Sequence, residues 1–382
     1  MSEQKKLVWI KKVSPLLYDI AMAALCLYIG FRGRRWLNML LPFESGWIPG
    51  TLLLLYYVLD LMALKHLKFT RKRNLVYTLS ICTFCVLYLS MSMLAVDIVQ
   101  LIIKIFVHEP NTLRTIFIVC GFLCVIFVVC AVIYGMEHAK KIVTVNYESI
   151  CGKLDQDRRV VLLSDLHIGY FVGKEHIRRI AEAVNSLNPD IVVISGDIFN
   201  GGGTEECSEL SGAAEELRSI QARYGVYAVT GNHDPSPSDE KFLSFIQDSG
   251  IILLQDELCD AGGMVLAGRP TKTRPRKTLG TLLKDADRGK PILVIDHDPM
   301  GICEAREKKA DYVMCGHTHR GQVFPLNLFV RFLYEKDEVW GISKSGPTTS
   351  LVTSGAGFFS MPMRTGSDSE VVCLDIKAGG QR

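Results

Sequence analysis

Five apolar, β-branched runs in this 382-residue chain end in side chains that bind metal ions. "RRVVLLSDLHIG" ends in Asp165 and His167, and "PDIVVISGD" in Asp197. "YGVYAVTGNHD" ends in Asn232, His233 and Asp234, "KPILVIDHDP" in His297, and "ADYVMCGHTHRGQ" in His317 and His319. Carboxylate and imidazole together suit manganese, iron or zinc rather than calcium. A carboxylate can bridge two such ions about 3.5–4 Å apart, the spacing of two-metal hydrolases, where a water becomes a nucleophile near neutral pH. Each run alone reads more readily as a turn, since an Asp after a strand accepts backbone N–H bonds there. The set in this order is what points to a site.

The elements that must position these residues follow from the pattern. From about Lys141 short apolar runs alternate with helical ones, which predicts α/β architecture. Sites in layered α/β folds form at the carboxyl ends of strands, so five distant motifs can meet in one cleft. Six histidines follow residue 140, and five of them stand at these strand ends. His176, in "KEHIRRIAEAVNSL", is expected on a surface helix. Residues two apart in extended backbone point the same way, so extended backbone through His317–Thr318–His319 would turn both imidazoles toward a pair of ions.

The part before residue 140 is different. Apolar residues make up 48% of the chain and mean hydropathy is +0.21, an excess concentrated there. Four runs near Pro15–Phe31, Ile48–Leu64, Leu75–Val96 and Ile116–Tyr134 approach the length of a membrane-crossing helix. The tail, the second loop and Lys140–Lys141 hold 11 basic residues, and the opposite side holds five. By the positive-inside rule the N-terminus and everything after residue 140 belong on the cytoplasmic side. Asp19 and Asp60 are read as helix-packing or interfacial groups, and Asp97, with Gln100 and Lys104, as an interfacial end to the third run. The 12 cysteines are scattered with no zinc-finger pair after residue 140, and read as small buried hydrophobes in a reducing compartment. A net charge of +3 gives no bulk electrostatic basis for nucleic-acid binding.

Over roughly residues 143–376 the motifs "SDLH", "GD", "GNHD", a middle histidine and "GHTH" resemble the calcineurin-like metallophosphoesterases. "SDLHIG", "GHTHRGQVFP" and "SGAGFFSMPMR" look most like the membrane-associated bacterial subfamily. The chain is also similar to the transmembrane proteins with a metallophosphoesterase domain. The resemblance implies a four-layer αββα sandwich with a two-metal centre between its sheets. Asp165, His167 and His319 would hold one divalent ion. Asn232, His297 and His317 would hold the other, and Asp197 would bridge both. His233 would be the catalytic histidine, and Asp234 would orient it. The expected division is a membrane domain of about four helices over 1–140 and the phosphoesterase domain over 141–382.

Two positions depart from the family pattern: Asn200 stands where many relatives have aspartate, and Arg320 where they have glycine. Arg320 and Arg364 are read as candidate phosphate contacts, with a solvated rim arginine the competing reading for Arg320. The basic loop Ala267–Thr278 reads as a mobile loop or a contact for anionic lipid head groups. Phe324–Trp340 reads as core or as an apolar lip at the bilayer. The expected function is a membrane-anchored two-metal phosphoesterase acting on a phosphoester or pyrophosphate, with a lipid-linked substrate one form of it. The competing class is a non-catalytic membrane scaffold or sensor that retains the fold. The expected location is a bacterial cell membrane, and the sequence leaves the oligomeric state open.

Overall fold

Alternation along the central strands decides which layer each side chain enters. In β2 (Arg158–Leu163) and β3 (Ile191–Ser195), Val161, Leu163, Val192 and Ile194 face one way, and Val160, Leu162, Ile191 and Val193 the other. Both faces are buried, so these strands read as continuous apolar runs. The same holds for β8 (Ile292–Ile295) and β9 (Tyr312–Cys315). A computed structural model describes residues 3–41, 50, 52–53, 55–56, 73–201, 210–334 and 338–379.

These strands belong to two six-stranded mixed sheets. One has the order β1-β12-β2-β3-β4-β5, with β1 (Ile142–Cys151), β4 (Val226–Val229), β5 (Ile252–Leu253) and β12 (Ser369–Ala378). The other has the order β10-β11-β9-β8-β7-β6, with β6 (Glu257–Ala261), β7 (Met264–Gly268), β10 (Gly341–Ser345) and β11 (Thr348–Val352). A core of Leu162, Val193, Leu266, Leu293, Met314 and Leu374 lies between them. Helices α4 (Lys174–Ser186), α5 (Leu210–Arg218) and α6 (Glu240–Asp248) cover the outer face of the first sheet. Helices α7 (Leu279–Leu282) and α8 (Ile302–Glu307) cover that of the second. This is the four-layer αββα sandwich. In it β2, β3 and β4 run parallel, as do β7, β8 and β9.

The chain divides into two units, Met1–Tyr134 and Gly135–Arg382. The first contains α1 (Glu3–Leu40), α2 (Arg73–Phe106) and most of α3 (Pro110–Ala139). Asn74–Phe106 and Pro110–Ala139 are long and apolar enough to cross a membrane. The first expected span lies within α1, and the second falls mostly outside the described residues. Asp97 is not simply interfacial: it accepts a 2.6 Å hydrogen bond from Tyr28 and pairs with the buried Arg32, tying α2 to α1.

His176 sits on the buried face of α4 rather than at the surface. Its Nε2–H donates to the Ala356 carbonyl at 2.9 Å, and its ring meets Phe358 edge-on. The basic loop is likewise folded onto the domain. Arg269 is buried and pairs with Asp296 (3.3 Å) and Glu304 (2.8 Å), Arg276 pairs with Asp296 (3.0 Å), and Arg274 donates to the Asp234 carbonyl.

Candidate metal centre

The five strand ends meet. Asp197, at the end of β3, stands in their middle. Its Oδ1 accepts the His233 backbone N–H at 2.8 Å. Its Oδ2 lies 3.2 Å from His297 Nε2 and 3.9 Å from His167 Nε2. One carboxylate therefore faces two separate groups of donors.

The first group is Asp165, His167 and His319. Asp165 Oδ2 accepts the His317 N–H at 2.9 Å, and its buried Oδ1 has no hydrogen-bond partner. That oxygen lies 3.4 Å from His319 Nε2 and 3.8 Å from His167 Nε2. The two Nε2 atoms stand 3.0 Å apart. Burial pushes His167 down to about 4 and His319 well below its ordinary value, so both rings are neutral near pH 7. A buried carboxylate oxygen without a donor, facing two neutral imidazoles, fits a divalent cation.

The second group is Asp197, His297 and His317. His297 Nδ1–H donates to the Ser195 carbonyl at 2.7 Å, which orients the ring and points Nε2 inward. Around that nitrogen stand His317 Nδ1 at 3.1 Å and Asn232 Oδ1 at 3.1 Å. Burial pushes His317 down to about 4. His297 behaves oppositely: burial lowers its pKa, but the Asp197 carboxylate overrides this and holds it at about 10. Burial would raise Asp197, yet His297 keeps its carboxyl well below the usual range. These donor types, imidazole nitrogen, carboxylate and amide oxygen, fit a second divalent ion.

The turns are built for close approach. His317 and His319 are not extended: their φ values are 72° and 47°, and Asp165, His167 and Asp197 also lie in the left-handed region. Left-handed backbone costs a non-glycine residue on the order of 1 kcal/mol, a cost tolerated at sites where side chains must converge. Both imidazoles reach the centre through that kinked loop, not through strand alternation. Gly316 and Gly231 leave room for the carboxylates, since a Cβ at Gly316 would overlap Ser164 Oγ and Asp165 Oδ2, and one at Gly231 would overlap Asp197 Oδ1.

His233 stands half-exposed beside both groups, its ring centroid 4.5 Å from Phe359 and 5.5 Å from His167. Asp234 is buried and spends both oxygens on backbone, accepting the Phe199 N–H at 2.8 Å and the Gly231 N–H at 2.7 Å. It clamps the loops after β3 and β4, and so sets His233 through the backbone. Burial, then Asp197, raises it to about 7.

Arg364, expected as a phosphate contact, is fully buried. Its guanidinium donates to the carbonyls of Ser354 (2.8 Å), Gly357 (2.6 Å) and Asp368 (2.7 Å) and to Ser367 Oγ (2.7 Å). It braces the wall behind His319. Arg320 lies flat over Trp340, 3.9 Å from the ring centroid, and Trp340 in turn donates to Glu370 at 3.0 Å. Asn200 donates its N–H to the Ile168 carbonyl at 3.2 Å and keeps a buried, unpartnered Oδ1. Phe359 and Asp296 escaped the sequence reading. Asp296, beside His297 in "VIDHD", was legible there as a second carboxylate. Phe359 carried no signal beyond "GFF".

Residues 158–321 match the model of the calcineurin-like phosphoesterase family. A stretch of 231 residues is 31% identical to an uncharacterized metallophosphoesterase of Helicobacter pylori, covering 59% of this chain and 61% of that protein. A transmembrane protein with metallophosphoesterase domain from Danio rerio is 34% identical over 236 residues, 57% of this chain and 53% of its own. An uncharacterized metallophosphoesterase of Aquifex aeolicus is 28% identical over 233 residues, 58% of this chain and 86% of its own length. The chain thus spans less than two thirds of the first two relatives.

Proposed function

With residues 158–321 a calcineurin-like phosphoesterase domain, we propose that the protein is a metal-dependent phosphoester hydrolase anchored in a membrane. The observation that carries this is Asp197 Oδ2, which faces His297 on one side and His167 on the other. Asp165, His167 and His319 would hold one ion, and Asn232, His297 and His317 the other, with Asp197 available to both. Manganese, iron or zinc suits these donors. Two such cations supply charge that neutralises the phosphoryl oxygens and acidifies the attacking water.

The chain's own residues do the rest. His233, at the open side of the site, donates a proton to the leaving oxygen or stabilises its charge. Asp234 holds the loop that carries it. The buried neutral imidazoles of His167, His317 and His319 keep their lone pairs available at neutral pH, and His297 gives up a proton to bind. Phe359 closes one wall against water. Every expected donor type is present, which leaves a non-catalytic scaffold without an observation in its favour.

The anchor is the apolar first unit, read as multi-pass. The Danio rerio relative's name pairs a transmembrane protein with the same kind of domain. The 11-to-five distribution of basic residues supports a cytoplasmic catalytic domain on a bacterial cell membrane. A lipid-linked phosphoester or pyrophosphate is the substrate class this placement favours. The test is hydrolysis of bis-p-nitrophenyl phosphate and p-nitrophenyl phosphate by the full chain loaded with manganese. His233→Ala is expected to lower kcat roughly 10²–10⁴-fold. An inactive wild type with both ions bound would overturn the reading.

A further inference from the structure

The helix after the His317–His319 loop presents an apolar face to its surroundings. This helix, α9 (Leu326–Leu333), reads LNLFVRFL and carries one charge, Arg331. None of its residues is buried. Leu326, Leu328, Phe329, Phe332 and Leu333 are exposed, Phe332 by 85%. Asn327 turns inward, its amide 3.5 Å from the Gly366 carbonyl, so the helix is seated by its polar side. Phe324 extends the patch. Gln322, just before the helix, accepts the Phe359 N–H at 2.8 Å and donates to the Phe359 carbonyl at 2.9 Å. The exposed Phe359 ring then reaches His233. Gln322 thus joins the segment leading into α9 to the loop whose exposed Phe359 forms an apolar rim of the candidate site.

Contiguous exposed apolar surface of this kind marks an interaction site. Two features identify the occupant. The exposed Phe and Leu side chains are of the kind that helices lying in a bilayer interface bury among the lipids, and Arg331 complements anionic head groups. The second feature is connectivity: Pro110–Ala139 is apolar enough to cross a membrane, and only Lys140 and Lys141 separate it from β1. Building on the membrane-anchored reading, we propose that α9 docks into the interface of the bilayer that anchors the chain. Phe329, Phe332 and Leu333 then lie among the upper acyl-chain segments, and the rim through Phe359 opens the site toward lipid phosphoesters.

The test is depth-dependent quenching in the full chain, reconstituted in mixed phosphatidylglycerol and phosphatidylcholine nanodiscs. Phe332→Trp adds a fluorophore to the four native tryptophans. Leu243→Trp, at an exposed position on α6, is the control. Lipids brominated on the upper acyl chain are expected to remove most of the emission that Phe332→Trp adds, and none of that added by Leu243→Trp. Resistance to alkaline carbonate extraction reports the anchor separately. If the chain is extracted, the anchored reading and this proposal both fall. If it resists extraction and the emission added by Phe332→Trp is unquenched, the proposal alone falls. An added indole that is shielded from water yet unquenched by lipid, in a particle holding two chains, assigns the face to a second copy and also overturns it.

Discussion

Asp197 Oδ2 and His297 Nε2 lie 3.2 Å apart, a buried pair on which the candidate site is centred. Holding His297 at about 10, the pair keeps that imidazole protonated at pH 8, whereas His167 and His317, at about 4, are neutral. An ion at His297 Nε2 must displace its proton, so loading at pH 8 is expected to release about one proton per chain. Titration calorimetry in buffers of different ionisation enthalpy measures it. Loading without proton release would contradict the assignment of His297.

The buried neutral histidines give the metal-free protein a pH-dependent stability. His176 is pushed to about 4, chiefly by burial, and it lies away from the donor groups. The unfolded chain protonates it near its ordinary value of about 6.5, while the folded state resists until about 4. Stability is therefore full above pH 6.5 and falls as the pH drops toward 4, by up to about 1.4 kcal/mol per pH unit for each such histidine. Denaturant midpoints with chelator at pH 7.5, 6 and 5 should decline, and His176→Gln should flatten the slope. A midpoint independent of pH would refute this.

Arg364 and Arg320 should separate in stability measurements. Arg364→Ala removes a fully buried cation and leaves the carbonyls of Ser354 and Gly357 without their donor, a loss of at least about 3 kcal/mol. Lysine should not rescue it, because it lacks the guanidinium fork. Arg320→Ala loses a partly exposed stacking contact and should cost about 1 kcal/mol or less. Thermal unfolding of the variants decides it, and equal losses would contradict the two roles.

The donor set was legible because each residue follows an apolar strand, and a parallel sheet gathers strand ends. What the sequence left hidden was backbone. Nothing in "GHTHR" announces left-handed φ at His317 and His319, or that Gly316 must lack a side chain to sit against Asp165. Arg364 read as a phosphate contact because a string of letters carries no burial. Its partners are carbonyls of a loop that folds around it. The apolar run Phe324–Trp340 was ambiguous between core and lip: within it α9 exposes its Leu and Phe side chains and turns Asn327 toward the domain, whereas Val339 is buried.

The sharing of Asp197 between two ions is tested most directly by electron paramagnetic resonance of the manganese-loaded full chain, with metal content measured in parallel. Wild type should bind about two ions per chain and give the exchange-coupled spectrum of a dinuclear pair. Asp197→Asn should lose the coupled signal and at least one ion. A wild-type spectrum of isolated manganese, or an Asp197→Asn variant that keeps two coupled ions, would contradict the account.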